Sequence, residues 1–267
     1  MSRPKQLIAQ IWPRVAIIAA ILLVWWIVYA TEVYDHVLLP SPASVWEAFT
    51  ANLTGTGGLL EAAERSVLRL AIGMAAAVAV GTLIGLWVAS SKVVQRSVGS
   101  LMVGLQALPS ISWLPLALLW FGLTESAILF VVIVGAFPAV AIATASSVRL
   151  VPPILIRAGR TLGAGGWELY RNVVLPAAVP GYVAGLQQAW AIAWRALMAG
   201  ELFVTGARGL GHLIVNSPAP FDADASFDTA LVLAAMAVIM LIGVAIDWLI
   251  TIFDRRIRAR RGLLVSA

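Results

Sequence analysis

The chain has 267 residues, of which 61% are hydrophobic and 12% charged, whereas soluble domains average roughly 45–50% and 25%. A chain of this length cannot bury so much apolar surface in its own core, which excludes an ordinary soluble protein and indicates a polytopic membrane protein. The net charge of +5 comes from basic residues in short segments between apolar runs, which favours membrane topology over nucleic-acid binding.

Six largely uncharged stretches are long enough to be membrane spans, since about 20 apolar residues cross the hydrocarbon core. They cover approximately residues 15–31, 70–89, 101–121, 126–146, 178–195 with a tail to 200, and 229–253. The sequence therefore predicts an all-α fold with about six transmembrane helices in a membrane domain of residues 15–253. A cleaved signal peptide is the alternative for the first stretch, but no small-residue cleavage site follows it cleanly.

The basic residues predict the orientation of these spans. If residues 1–14 are cytoplasmic, the outer segments contain only Arg65 and Arg208, and the inner segments contain most of the remaining lysines and arginines. Both termini, including a basic tail of residues 254–267, are therefore expected in the cytoplasm. That tail could also bind acidic lipid or nucleic acid, but anchoring on the inner side requires no further assumption.

Two outer segments have features of their own. In residues 32–65, Ser44 and Glu47 have the spacing of a capping box that opens a short amphipathic helix on the membrane surface. The outer loop of residues 201–228 contains Gly206, Gly209 and Gly211, then two prolines, which indicates an irregular, partly re-entrant segment.

Residues 147–177 form the longest inner connection, called the coupling loop below. Pro152 and Pro153 can start a first helical piece, and Gly163 with its neighbouring glycines permits a sharp turn. A second piece is expected to end at Pro176. The sequence thus predicts a bent helical pair that presents a rigid surface to a partner.

The residues needed for enzyme chemistry are scarce. The sequence has no cysteine, its two histidines fall in outer loops without metal-ligand spacing, and Asp247 is the only acid well inside a span. Neither lysine belongs to a P-loop. If this protein moves a solute using ATP, the nucleotide must be held by a separate polypeptide, for which the coupling loop is the expected docking place.

The coupling loop resembles that of permease subunits of binding-protein-dependent ABC importers, whose motif is E-A-A-x-x-x-G followed after nine residues by I-x-L-P. Matching residues at the right spacing are Ala158, Gly163, Val173, Leu175 and Pro176. Arg157 stands in place of the motif glutamate and Gly159 in place of its second alanine. Fragments at 39–42, 66–69, 113–116, 120–122, 200–201 and 209–211 extend the resemblance to the sulfonate, taurine and nitrate branch over about 230 residues.

This resemblance implies a type I importer permease in the bacterial cytoplasmic (inner) membrane. It implies a homodimer, two ATP-binding subunits that hold ATP and Mg, and an extracytoplasmic solute-binding protein, with no cofactor or metal in this chain. The solute is expected to be a small anion, with an aliphatic sulfonate or taurine preferred and nitrate or another small nutrient as the alternative. The residues expected to dock the ATPase are Arg157, Ala158, Gly159, Arg160, Gly163, Ala164, Glu168, Leu175 and Pro176. A gradient-driven secondary transporter is the alternative from another class, and it predicts inverted repeats and titratable groups at mid-depth.

The third span is the first candidate for the translocation pathway. It contains Gln106, Pro109, Ser110, Ser112 and Pro115, and a proline inside a helix removes a hydrogen bond and introduces a clash. Broken backbone at membrane depth is tolerated where it lines a watery cavity. A kinked packing helix is the alternative.

Arg195 lies inside the fifth span, where a charge costs roughly 2.5–3.5 kcal/mol unless water or a partner receives it. It either pairs with Glu201 or backbone carbonyls, or it forms a cationic station for an anionic solute, with Arg69 as a second station. Related permeases often have arginine at the position of Gln106 and an uncharged residue at that of Arg195, so we expect the positive site to have moved between helices. The expected pathway residues are Arg69, Gln106, Pro109, Ser110, Ser112, Arg195 and Glu201.

Two glycine pairs have the GxxxG spacing that lets helices approach closely. They are Gly81 with Gly85 and Gly181 with Gly185. Packing within one bundle is the favoured interpretation.

Overall fold

The computed structural model describes residues 3–204, 206, 208–216 and 228–261, without the side chains of residues 3–11, 14 and 216. Within these ranges every regular element is a helix, which confirms the all-α prediction. In chain order the helices are α1 (Arg3–Ala30), α2 (Pro42–Ala51), α3 (Leu59–Ser90), α4 (Lys92–Val94), α5 (Ser100–Ala107), α6 (Leu114–Phe121), α7 (Glu125–Arg149), α8 (Pro153–Thr161), α9 (Gly166–Leu169), α10 (Leu175–Phe203), α11 (Leu210–Asn216) and α12 (Thr229–Arg260).

Five of the six predicted stretches lie on single helices, and the stretch 101–121 is divided between two. Among the described residues, α3, α7 and α12 are each long and apolar enough to span a membrane, and the broken pair Lys92–Ala107 and Ser110–Phe121 makes a fourth if it is counted as one span. The apolar part of α1, Val15–Ala30, is shorter. Helix α10 is long enough but more polar, because it contains Gln187, Gln188, Arg195 and Glu201.

The chain divides into two compact units. One unit contains the described residues up to Ala62 and those of Leu213–Val238, and the other contains Ala63–His212 and the described residues from Ile239 onward. In the first unit, the Trp25 indole N–H donates to the Pro40 carbonyl at 3.1 Å. The candidate site and the coupling loop both belong to the second unit.

Helix α7 is the centre of the second unit, because α3 and α10 both pack closely against it. A Cβ at Gly81 would lie 2.6 Å from the Phe137 carbonyl oxygen, and one at Gly85 would lie 2.5 Å from that of Ala141. On the α10 side, a Cβ at Gly185 would lie 2.1 Å from the Ala143 Cβ. The glycine pairs therefore allow α3 and α10 to pack closely against α7 within one bundle, in agreement with the favoured interpretation of their spacing.

Hydrogen bonds from an arginine at the C-terminal end of α7 connect α7 to the end of α3. The Arg149 guanidinium donates to the Val88 carbonyl at 2.9 Å, to the Ser91 carbonyl at 3.0 Å and to the Gln95 side chain. Carbonyls at a helix end have no intrahelical partner, so a cation is favourable there. The sequence did not predict this contact.

The third predicted span is broken, as its prolines indicated. Helix α5 ends at Ala107, and the chain resumes as a 3₁₀ turn, Ser110–Trp113, that leads into α6. The two parts are bent by 98°. Pro109 begins the second part, where its missing N–H removes no helical hydrogen bond.

The outer segment of residues 32–65 contains a helix, but its predicted cap was wrong. The α2 N-cap is Ser41, whose Oγ accepts from the Ser44 N–H at 3.0 Å, with Pro42 in the first turn. Proline at the first helical position has the required φ already, so the helix begins earlier than the Ser44–Glu47 spacing suggested. Helix α3 also begins at Leu59, inside the predicted segment.

We expect Gly185→Ala to lower the midpoint of thermal unfolding of the purified protein by several degrees. Its Cβ would lie 2.1 Å from the Ala143 Cβ, and overpacking of this kind costs about 1–3 kcal/mol. The matched control is Gly104→Ala in α5, where nothing lies within 4 Å of a new Cβ. An equal midpoint for both variants would contradict the close α7–α10 contact.

Candidate functional site

Four of the predicted pathway residues line one groove of about 450 Å³ at the break of the third span. Gln106, Pro109 and Ser110 come from the two sides of the break, and Arg195 comes from α10. Gly135 of α7 forms part of the wall, where a Cβ would lie 3.0 Å from that of Ser110. The broken helix and α10 therefore place a cation, an amide and a hydroxyl on one surface.

The Arg195 side chain is exposed to this groove. Within the described part of the chain its guanidinium has no hydrogen bond and no ion pair. An arginine presents five donors in a planar fork that matches an oxyanion bidentately. The groove thus presents positively charged hydrogen-bond donors to a small anion.

The other predicted pathway residues lie outside this lining. Ser112 is exposed on the 3₁₀ turn, whereas Arg69 and Glu201 are buried at the predicted outer end of the bundle. The alternative pairing of Arg195 with Glu201 does not occur, because the Glu201 carboxylate binds Arg69 instead.

Glu201 is the centre of a buried polar cluster, called the Glu201 cluster below. The Arg69 NH1 donates to Oε1 at 2.9 Å, and the Ser66 hydroxyl lies 2.8 Å from Oε2. The Gly211 N–H also donates to Oε2, at 3.0 Å. Arg69 forms a second ion pair, with Glu125 at the start of α7, at 2.7 Å. The cluster joins α3, α7, α10 and the start of α11.

Two glycines of the outer loop leave room for this carboxylate. A Cβ at Gly209 would lie 2.3 Å from both Glu201 carboxylate oxygens, and one at Gly211 would lie 2.7 Å from the Glu201 Cβ. Ser66 Oγ also accepts the Leu210 N–H at 2.9 Å. The resemblance fragments 66–69, 200–201 and 209–211 therefore meet at one place. The remaining loop positions 205, 207 and 217–227, which fall in the predicted re-entrant segment, lie outside the described residues.

His212 lies beside the Glu201 cluster in α11. Burial lowers its pKa, an effect that outweighs the Glu201 charge, and Arg208 and Arg69 lower the pKa further. The ring is therefore neutral near pH 7. Because the folded state favours the neutral ring, we expect this group to reduce stability as the pH falls below its ordinary value of 6.5.

The coupling loop consists of two short helices packed back to back. Gly159 of α8 is buried, and a Cβ there would lie 2.7 Å from Leu169 Cδ1 and 3.0 Å from Val173 Cγ2. The alanine that the importer motif has at this position would therefore clash with Leu169, and glycine avoids the clash. Val151, Val174 and Ala178 form a small core beneath the pair, against Ile156 and Tyr170.

The turn between the two helices depends on glycine. Gly163 has φ +91° and Gly166 has φ +49°, values that side chains with a Cβ rarely adopt. The predicted end of the second piece at Pro176 was wrong. A π-helical turn, Tyr170–Val174, leads directly into α10, and Pro176 lies in the first turn of α10. The wide turn accommodates a proline that an α-helical interior would not.

The comparisons with known proteins decide the family. Residues 81–259 match the family described as "Binding-protein-dependent transport system inner membrane component". The chain belongs to this family. A putative ABC transporter permease of Methanocaldococcus jannaschii is 33% identical over 85% of this chain and 84% of its own length.

Two further relatives are named for their solutes. The taurine transport system permease protein TauC of Escherichia coli is 29% identical and covers 95% of this chain and 91% of its own length. The aliphatic sulfonates transport permease SsuC of Bacillus subtilis, described as putative, is 27% identical, with 90% and 84% covered. These relatives confirm the resemblance that the coupling loop indicated.

A solved structure shows the fold. A chain of the MetNI methionine ABC transporter superposes with a TM-score of 0.58 and 19% identity, and covers 82% of this chain and 98% of its own length. This protein therefore has the fold of an ABC importer permease.

We expect Glu201→Ala to lower the free energy of unfolding by about 3–5 kcal/mol, because it removes one carboxylate of a buried ion pair. Glu201→Gln keeps the shape and one acceptor, so its loss should be smaller. Glu64→Gln is the control, since Glu64 is exposed on the same end of α3. Thermal unfolding of the purified variants measures this order. A Glu201→Ala midpoint equal to that of Glu64→Gln would show that the cluster contributes nothing.

Proposed function

We propose that this chain is the permease of an ATP-driven importer and forms the pathway for a small anion, with a sulfonate or taurine as the solute. The observation that carries the proposal is the groove at the broken span. It brings Gln106, Pro109, Ser110 and Arg195 together, with a guanidinium that has no partner among the described residues.

The groove favours an anion for electrostatic reasons. A guanidinium in the membrane is stable only where water or an opposite charge receives it. The groove therefore holds water, and an anion replaces this water when it binds. The oxygens of a sulfonate match the fork of an arginine. Gln106 and Ser110 can donate further hydrogen bonds to the same group.

The relatives support the choice of solute. Two relatives are named for taurine and for aliphatic sulfonates, and both of these solutes carry a sulfonate group. Nitrate is smaller and also anionic, so it is the competing solute. Competition between the two anions in the uptake assay below separates them.

We further propose that ATP is bound by separate subunits that dock on the coupling loop, in a complex of two permease copies and two ATP-binding subunits. Both termini and the coupling loop are cytoplasmic in this proposal, and an extracytoplasmic binding protein delivers the solute. The sequence supports this division, since neither of its lysines belongs to a P-loop. Arg69 and Glu201 hold the outer end of the bundle rather than carry solute.

The first test is reconstitution. A tagged chain co-expressed with its ATP-binding subunits should recover them on purification. In vesicles, taurine uptake should require ATP, Mg and the binding protein. Uptake by this chain alone, driven by an ion gradient, would instead establish a secondary transporter and overturn the proposal.

The second test exchanges the groove charge between its two walls. We expect Arg195→Ala and Arg195→Lys to lower taurine uptake about tenfold or more, because a hydrogen bond to a charged group contributes about 1.5–3 kcal/mol. The double variant Arg195→Gln with Gln106→Arg restores a guanidinium to the same groove and should recover uptake. Ser112→Ala is the control, since Ser112 lies outside the lining. Unchanged uptake by Arg195→Ala would refute the anion station.

A further inference from the structure

The groove at the broken span has an apolar surface that the proposed function does not use. Its hydrogen-bonding side chains are those of Arg195, Gln106 and Ser110. The rest of its lining, apart from Gly135, is apolar and comprises Leu108, Pro109, Ile111, Ile192 and Ala199. The groove is therefore amphipathic, with a cation and an apolar surface side by side.

Helix α10 places part of this apolar surface directly beside the cation. Ile192 is three residues before Arg195, and Ala199 is four residues after it. Side chains at these spacings share one side of a helix. Both apolar side chains are half-buried, and both line the groove. An anion bound to the Arg195 guanidinium thus has an apolar side chain on each side of it along the helix.

The groove offers no partner to a positively charged group of a solute. The described residues that line it include no aspartate or glutamate. The acid of α10, Glu201, is fully buried and paired with Arg69. A solute cation would therefore lie close to the Arg195 guanidinium, which repels it, without a carboxylate that receives it.

These features distinguish between solutes that share a sulfonate group. Propane-1-sulfonate and taurine have the same number of non-hydrogen atoms and differ at one end, which is a methyl group in the first and an ammonium group in the second. Contact with Ile192 or Ala199 removes the methyl group from water, which is favourable. The same contact removes the ammonium group from water without a new hydrogen bond, which is unfavourable. Nitrate has no tail and gains nothing from the apolar surface.

We infer that Ile192 and Ala199 form a tail site beside Arg195, through which the permease itself selects sulfonates with a short uncharged tail over taurine and nitrate. This inference rests on the proposed function, in which the anionic group binds Arg195. It adds two specificity-determining residues and chooses between the solutes that the proposed function names. The selection acts in addition to that of the binding protein.

The test uses the permease reconstituted in vesicles with its ATP-binding subunits and with the binding protein saturated by one solute at a time. Saturation removes the affinity of the binding protein from the initial rate of uptake, and all variants receive solute from the same binding protein. We expect the wild type to take up propane-1-sulfonate about threefold or more faster than taurine, because burial of one methyl-sized group is worth about a factor of four.

Ala199→Leu fills the tail site without changing its polarity. We expect it to lower the uptake of propane-1-sulfonate about tenfold, since one methylene too many in a closed site has an effect of this size. Methanesulfonate reaches Arg195 without entering the tail site, so its uptake should stay within about twofold of the wild type. Ala184→Leu is the matched control, since Ala184 is exposed on the same helix outside the groove lining, and it should behave as the wild type.

A second variant changes the polarity of the tail site and almost none of its volume. Ala199→Ser adds a hydroxyl group beside the tail, so we expect the ratio of propane-1-sulfonate uptake to taurine uptake to fall about twofold or more. Recovery of the ATP-binding subunits with each variant measures its assembly. If Ala199→Leu does not assemble, the ratio for Ala199→Ser decides by itself.

Three outcomes would overturn the inference while the importer function stands. Uptake of taurine by the wild type that equals or exceeds that of propane-1-sulfonate would show that the groove does not favour an uncharged tail. Equal losses of methanesulfonate and propane-1-sulfonate uptake in assembled Ala199→Leu would show that Ala199 supports the helix and contacts no tail. An unchanged ratio in Ala199→Ser would assign the selection to the binding protein. If Arg195→Ala takes up every sulfonate as the wild type does, the anion station of the proposed function fails and the tail site fails with it.

Discussion

A charge can remain in the low dielectric of a membrane only where an opposite charge or water receives it. Two charged residues of the second unit satisfy this constraint in different ways. Glu201 is fully buried, and the cluster around it supplies a guanidinium, a hydroxyl and a backbone N–H. Arg195, six residues earlier on the same helix, has no such partner among the described residues and faces a groove. The first arrangement holds the bundle together, and the second leaves a charge available for an anion.

Helix α10 connects the features that matter for transport. It continues from the coupling loop through a π-helical turn, carries Arg195 beside the broken span and has Glu201 in its last turn. Its contact with α7 is close, since Gly185 leaves no room for a Cβ beside Ala143. If α10 moves as a rigid body, a displacement of the coupling loop also displaces the wall of the groove that carries Arg195, and the proposed ATP-driven mechanism requires a motion of this kind.

Much of the fold could be predicted from the sequence because membrane spans have a strong local signal. The apolar stretches, the break at Pro109 and the glycine turn at Gly163 each follow from single residues or short runs. The predicted helix ends were wrong where neighbouring residues override the usual preference of a serine for a helix start or of a proline for a helix end. Ser41 with Pro42 starts α2 before Ser44 can, and the π-helical turn allows Pro176 to sit inside a continuous helix. The partners of Glu201 were missed because Ser66 and Arg69 are 135 and 132 positions away from it along the chain.

The sequence by itself determined the class of protein, the helical stretches, the coupling loop and the absence of a P-loop, because composition and short motifs are local properties. The tertiary structure decided which charges meet. It paired Glu201 with Arg69 rather than Arg195, and it placed Arg195 beside Gln106 in one groove. Such pairings depend on how helices far apart in sequence pack through their glycines, and no local pattern contains that information.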